Sequence, residues 1–288
     1  MKRRIAITGA GGFLGTALAR RLVATGAEVL ALSRRDPGLP GVRWQAYDLA
    51  DESPSAAALE GVDVIVHAAF AMGRGSAALE QLNLTAALRL RDAARAGGRH
   101  FVFISSMSAH ADAASSYGRA KWRIEAQLDP AHDAVVRPGL IVGPGGLYAR
   151  LMGTLRRTPV VPVFFGGTQP IQPIALDDLV TALVQIVSRR LSGIFNLATP
   201  GHLTIRELYG RMLAAARLRR PLLPLPGGLT AQLLRGCEGL GLQLPVTSEN
   251  LLGQKQLRAF DTTPCLARLG LTVKSLADVD WDAPVSPP

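Results

Sequence analysis

Cysteine is nearly missing from this chain: Cys237 and Cys265 are the only two in 288 residues. They form no metal-ligand pattern, so a thiolate-held metal and a disulfide framework are both excluded, and reduced thiols in a cytoplasmic protein are expected. Lysine is scarce too. Only Lys2, Lys121, Lys255 and Lys274 occur, so the net charge of +10 comes almost wholly from arginine. No apolar run approaches the ~18 residues of a membrane span. The N-terminus lacks a secretory apolar region, so no integral membrane segment is expected. Internal repeats and low-complexity tracts are lacking as well, and only the tail 283–288 reads as disordered.

The arginines also lack a clustered stripe. The pairs Arg20-Arg21, Arg156-Arg157, Arg189-Arg190 and Arg219-Arg220 are scattered along different predicted elements. Such dispersion reads as solvated helix faces rather than a surface for nucleic acid or membrane lipid, and no nucleic-acid partner is expected. The charge does favour anionic small molecules.

What is present is alternation. Short apolar strands at Arg4–Thr8, Glu28–Ser33, Arg43–Ala46, Val64–Ala68, His100–Ser105 and Ala134–Arg137 are separated by helical segments near Gly12–Thr25, Pro54–Leu59, Ala77–Gly97 and Tyr117–Leu128. That order predicts an α/β fold, a doubly wound parallel sheet with crossover helices, and ligands at the carboxyl ends of the strands. After Pro144 the pattern changes: a helix near Leu147–Arg157 precedes a proline- and glycine-rich stretch. One more αβ unit, Leu176–Val187 then Gly193–Leu197, returns to the sheet. From Thr204 onward the reading is helical, with leucine-rich segments at Leu222–Leu233 and Leu240–Leu244 whose default role is core. The predicted division is a dinucleotide-binding domain over 1–145 and 172–200, with a smaller, mainly helical substrate or cap region over 146–171 and 201–288.

Residues 5–15 join a buried-strand pattern to a glycine-rich turn and a helix. Gly9 allows the tight turn, Gly12 lets backbone approach a pyrophosphate, and Gly15 lets the helix pack on the sheet. The helix start, with Gly11, Phe13 and Leu14 around it, then offers unpaired N–H groups to the anion. A plain structural turn is the competing reading. At the end of the second strand, where an acidic residue would bind the ribose of NAD, the chain reads Ser33-Arg34-Arg35, with Ser33 eighteen residues after Gly15. A hydroxyl and two permanently charged planar forks suit a 2′-phosphate, so NADP(H) is preferred. NAD(H) is the alternative cofactor, Asp36 being close by, and a solvated Arg34-Arg35 pair is the bland one.

Tyr117 and Lys121 stand one helical turn apart on one face. An ammonium there stabilises phenolate and lowers the tyrosine pKa, equipping Tyr117 to exchange a proton with a substrate oxygen. The alternative is an amphipathic helix whose tyrosine merely packs. Upstream, the strand ending in Ser105-Ser106 offers a hydroxyl to the same oxygen. Ser106 is the choice, Ser105 and Ser108 are competitors, and turn capping is the structural alternative. His67 ends a buried strand and reads as packed rather than as a ligand or base. Asp177 and Asp178 read as helix caps.

Gly9, Gly12 and Gly15, Asp48-Leu49, His67-Ala68-Ala69, Asn83, Ser106, Tyr117 with Lys121, and Arg137-Pro138-Gly139 follow one another as in the extended and atypical short-chain dehydrogenases/reductases, the epimerase/dehydratase group. The chain resembles that group from residue 4 to about 200. The resemblance implies that Asp48 contacts adenine, Ala68 and Ala69 line the cofactor, Lys121 holds the nicotinamide ribose, and Tyr117 handles the proton. It places Leu49, Asn83, Pro138 and Gly139 in the cofactor-binding set and makes a homodimer the expected assembly. Ile171-Gln172-Pro173 stands where sugar-nucleotide epimerases carry a diphosphate-binding arginine, which disfavours a nucleotide-sugar substrate. Gln172-Pro173-Ile174, Leu244-Pro245-Val246-Thr247 and Leu269-Gly270-Leu271 look more like the branch holding the NADPH-binding accessory subunit of respiratory complex I. Many members of that branch lack the tyrosine-lysine pair that this chain has. The expected function is reduction or oxidation of a small carbonyl or alcohol substrate with Tyr117 as proton donor. An epimerase or dehydratase, or a non-catalytic NADPH-binding assembly protein, are the alternatives.

Overall fold

The computed structural model describes residues 2–51, 54, 57–73, 77–226 and 248–282. Seven strands form one parallel sheet: β1 (Arg4–Thr8), β2 (Glu28–Ser33), β3 (Val42–Ala46), β4 (Val64–His67), β5 (His100–Ile104), β6 (Ala134–Pro138) and, later in the chain, β11 (Gly193–Leu197). Their order is β11-β6-β5-β4-β1-β2-β3, so the chain reverses direction of travel between β1 and β4. The crevice at that switch point is where a doubly wound sheet binds its ligand. Central strands are buried throughout, β4 and β5 along their whole length. This is why they read as apolar runs rather than alternations.

Helices α1 (Phe13–Ala24), α2 (Ala77–Ala96) and α3 (Ser116–Glu125) connect the strands. Two buried clusters fill the faces of the sheet. One gathers Ile5, Ile7, Leu18, Leu22 and Val102, the other Leu32, Ile65, Leu90, Phe101 and Phe103.

Two expectations change. The segment expected as a helix at Pro54–Leu59 contains turn backbone over its described residues 57–59, continuing to Gly61, where φ is +69°. Residues 52, 53, 55 and 56 lie outside the described residues. At the other end, Leu222–Leu225 is not helical but a strand. After β7 (Leu140–Val142) and α4 (Gly146–Arg157), β8 (Val161–Phe164) pairs in parallel with this later strand. Between them come β9 (Pro170–Ile171), β10 (Pro173–Ala175), α5 (Leu176–Arg189), β12 (Leu203–Thr204) and α6 (Ile205–Ala215), so Leu222–Leu225 is β13. Proline at 221 and 224 rules against a helix there and suits a two-stranded edge. The rest of the leucine-rich stretch, Cys237, Leu244-Pro245-Val246-Thr247 and the tail 283–288 lie outside the described residues.

Two helices follow in the C-terminal region. Helix α7 (Ser248–Lys255) contacts α3, whereas α8 (Thr263–Leu269) packs on α5 and β11, its Leu266 and Leu269 entering the core of the sheet. A third cluster, with Tyr148, Met152, Val161, Leu208 and Met212, joins α4, β8 and α6.

Candidate active site

Backbone proximity builds the first half of the site. Gly9 has φ +69°, and a Cβ on it would stand 2.8 Å from the Ala69 nitrogen. A Cβ on Gly15 would stand 2.2 Å from the Gly9 carbonyl oxygen. Turn, helix and the Ala68-Ala69 segment therefore touch without room for a methyl group. Gly11 and Gly12 are exposed, and Gly12 N–H donates to Gly9 O at 2.9 Å. Helix α1 has neither a capping side chain nor an acidic residue in its first turn. Its opening N–H groups lack intrahelical acceptors and face solvent at the positive end of the dipole. This cradle fits a pyrophosphate. Phe13 closes one side, packed on Gly143, Gly145 and Gly146.

The second strand ends as the sequence suggests. Ser33 Oγ donates to Arg35 O at 2.8 Å, and the exposed Arg34 lies 3.9 Å from Asp48 Oδ2. Asp36 commits a carboxylate oxygen to Gly38 N–H at 2.9 Å, folded into its own turn. Asp48 accepts from Ala50 N–H at 3.0 Å, and Leu49 packs on the core cluster beneath.

His67 is buried between Phe101 and Phe103, with Nδ1 2.7 Å from Thr8 Oγ1. Thr8 Oγ1 accepts from Ala69 N–H at 3.2 Å, which leaves its proton for the imidazole. Burial, aided by Lys121, pushes the His67 pKa down to about 3. It is a neutral packed histidine that pins Thr8, whose hydroxyl also holds the Ala69 backbone. Asn83 is a clamp as well: its amide accepts from Ala71 N–H at 2.8 Å and donates to Ala71 O and Leu79 O at 3.0 and 2.8 Å.

Side chains build the second half. Ser115 caps α3 by accepting from Gly118 N–H at 3.2 Å, fixing the helix that carries Tyr117 and Lys121. Ser106 stands against the Tyr117 hydroxyl and accepts from Ser108 N–H at 3.1 Å. Ser105 is buried and donates to Glu125, so it is unavailable to a substrate. Among the three serines, Ser106 is the one joined to Tyr117. Pro138 and Gly139 support this strand end. Pro138 O accepts from Met107 N–H at 3.1 Å, and Gly139 lies so close to Gln172 that a Cβ would stand 2.1 Å from its carbonyl oxygen.

Lys121 is 3% exposed and donates to Ile104 O at 2.6 Å. Its ammonium sits 4.3 and 4.7 Å from the ring centres of Phe70 and Phe103, and Phe70 meets Tyr117 edge-on at 5.3 Å. Burial pushes the Lys121 pKa down to about 7, with Glu125 opposing the fall. The Tyr117 pKa moves opposite to the expected direction. Desolvation raises it, and the Ser106 hydrogen bond and the Arg150 charge from α4 only offset this in part. Burial of the phenol outweighs both of these.

Phe70, Arg150 and Glu125 are parts of the site that the sequence pattern does not reveal as read. Glu125 follows Lys121 at the i+4 spacing that gives away the Tyr117-Lys121 pair, so a second turn along the same face would have found it. It forms a two-pronged ion pair with Arg137, at 3.0 and 2.9 Å from Nε to its two carboxylate oxygens. A small cleft of about 50 Å³ opens beside Tyr117, walled by Phe70, Leu79, Asn83 and Ala120. Among the described residues no cluster of His, Cys, Asp and Glu is placed to hold a metal.

Residues 5–198 match the model of the NAD dependent epimerase/dehydratase family. The chain belongs to that family. Ceramide reductase of Caulobacter vibrioides is 32% identical over 242 residues, covering 79% of this chain and 75% of that protein. Of some other curated relatives, also 32% identical, the chain spans about a quarter (24%) of the length. Two solved members share the fold at low identity. Human epimerase family protein SDR39U1 (isoform 2) with NADPH superposes with a TM-score of 0.72 at 21% identity, covering 98% of each chain. UDP-glucose 4-epimerase of Thermus thermophilus with NAD gives 0.65 at 22% identity, covering 77% of this chain and 86% of that one. As a member of the epimerase/dehydratase family, the chain is an NAD(P)-dependent enzyme of the oxidoreductase and epimerase class. None of its described helices is long and apolar enough to cross a membrane. Gln172 ties backbone together. Its amide donates to Gly201 O at 3.0 Å and Phe260 O at 2.9 Å and accepts from Phe260 N–H at 2.7 Å.

Proposed function

We propose that this chain is an NADPH-dependent carbonyl reductase acting on an apolar, lipid-like substrate. The observation that carries the reading is Tyr117 one helical turn from the buried Lys121, with Ser106 against the phenol and a cleft beside it. The bound nicotinamide supplies hydride. Ser106 donates a hydrogen bond to the carbonyl oxygen and Tyr117 gives it the proton. Lys121 uses one of its three ammonium donors on Ile104 O, leaving two for the ribose hydroxyls that the family assigns to it. Ser33, Arg34 and Arg35 support NADPH over NADH, since Asp36 is engaged in its own turn.

Two features support an apolar substrate over a nucleotide sugar. Gln172 is consumed internally, and apolar surface outweighs polar in the cleft wall, where Phe70, Met72 and Leu79 stand with Glu80 and Asn83. The 32% identity to a protein named ceramide reductase points the same way. The likeness to 4-epimerases supports a second reading, transient oxidation with the cofactor returned unchanged.

Incubation with NADPH and long-chain ketones tests the proposal. Stoichiometric NADPH consumption with alcohol formation is expected, and binding tighter to NADPH than to NADH. Isomerised product with no net NADPH consumption would select the epimerase reading. A Tyr117→Phe variant that retains turnover would sink the assigned proton donor.

A further inference from the structure

The fold gathers arginines that the sequence keeps apart. Arg156 and Arg157 end α4, just before β8, and Arg217, Arg219 and Arg220 lie between α6 and β13. Because β8 and β13 run parallel with Val161 opposite Leu222, and Val161 N–H donates to Pro221 O at 3.0 Å, both groups arrive at the start of one ladder. Arg156, Arg157, Arg217 and Arg219 are exposed, and none of the five forms an ion pair among the described residues. Asp280 and Asp282 share the surroundings of Tyr148 with Arg156, yet neither comes within bridging distance of it. Helix-end charge compensation accounts for Arg156 and Arg157, which lie in the last turn of α4. It does not account for Arg219 and Arg220, which lie beyond the end of α6.

Apolar side chains stand among these charges. Val160 is 38% and Leu223 49% exposed. Leu223 pairs with Pro162, and alternation along the ladder puts both on its outer face with Val160 just ahead.

We infer that this edge is a docking surface for an anionic lipid bilayer. Guanidinium groups bind lipid phosphates, and the exposed aliphatic carbons gain by entering the headgroup boundary. A nucleic-acid backbone would reward the arginines but not Val160 and Leu223. A second copy of the chain, brought face to face about a two-fold axis, would oppose arginine to arginine. The location fits the chemistry of the cleft. Arg150, whose charge reaches Tyr117, is only ~10 Å along α4 from Arg157 at 1.5 Å per residue. The surface itself does not depend on which reaction the cleft performs.

Co-sedimentation of the full chain with phosphatidylcholine vesicles, with and without phosphatidylglycerol, tests the inference without measuring turnover. Binding to the anionic vesicles alone, weakening as salt rises, is expected. Replacing Arg156, Arg157, Arg219 and Arg220 by glutamine is expected to weaken partitioning by about fivefold per arginine, several hundredfold together. Leu223→Ser is expected to weaken it at unchanged melting temperature and NADPH affinity, which separates docking from folding should the quadruple variant prove unstable. Absence of binding to anionic vesicles overturns the inference, as does equal binding by the arginine and Leu223 variants. Tighter, arginine-dependent binding to duplex DNA would reassign the surface to nucleic acid and overturn it as well.

Discussion

The Gly9–Gly15 turn is shaped by backbone that leaves no room for a Cβ, whereas the Tyr117–Lys121 centre is shaped by side chains whose charges compete with their own burial. A backbone cradle of this type is complete before any ligand arrives, because its N–H groups are aimed by the turn and the first turn of α1. The side-chain centre is tuned by what lies against it. Burial holds the phenol pKa up and the ammonium pKa down, and Phe70 stands over the Lys121 ammonium and against the Tyr117 ring. On the proposed function, binding belongs to the first region and chemistry to the second, and the two can be damaged separately.

Tyr117→Phe is the sharpest cut. A fall of 10²- to 10⁴-fold in kcat, typical of losing a positioned proton donor, is expected with NADPH affinity unchanged in a fluorescence titration. Equal loss of both would erase the distinction.

His67 lies beneath both regions, and acid should loosen them together. Its folded pKa of about 3 lies below the unfolded value of 6.5, so the unfolded chain takes up the proton first. Its contribution to stability is present above pH 6.5 and is lost as pH falls toward 3, by roughly 5 kcal/mol in all. Urea midpoints measured across that window should fall, and His67→Leu should flatten the dependence.

Gly15→Ala is aimed at the cradle alone. The added methyl must displace the Gly9 carbonyl, at an expected cost of about 2 kcal/mol shared between folding and NADPH affinity. Replacing Arg34 and Arg35 by serine should have the smallest effect. It is expected to lower the NADPH-to-NADH affinity ratio about tenfold, roughly the loss of one charge-assisted hydrogen bond, without changing kcat.

The same contrast decides what could be read from sequence. A turn that tolerates no side chain leaves glycine as its signature, so Gly9, Gly12 and Gly15 are legible without coordinates. Tyr117 and Lys121 are legible because helical spacing puts them on one face. Their electrostatics are not, since Phe70 and Arg150 arrive from a loop and a helix distant in sequence. The arginine edge is hidden for the same reason: two dispersed pairs become neighbours only through the β8–β13 pairing. Leu222–Leu225 misleads because leucine and proline in a short run carry no helical or strand period.

The Gln172 amide reaches from the β9–β10 junction to the backbone of Phe260, and a few residues later α8 seats Leu266 and Leu269 against β11 and α5. The family match stops at residue 198, yet the sheet's own hydrocarbon seal is finished by residues 260–269. Recombination between relatives therefore has no clean seam at that border. A chimera joined there would inherit an amide with no correspondent and an unroofed edge strand, unless Phe260 to Leu269 travelled with the nucleotide-binding half.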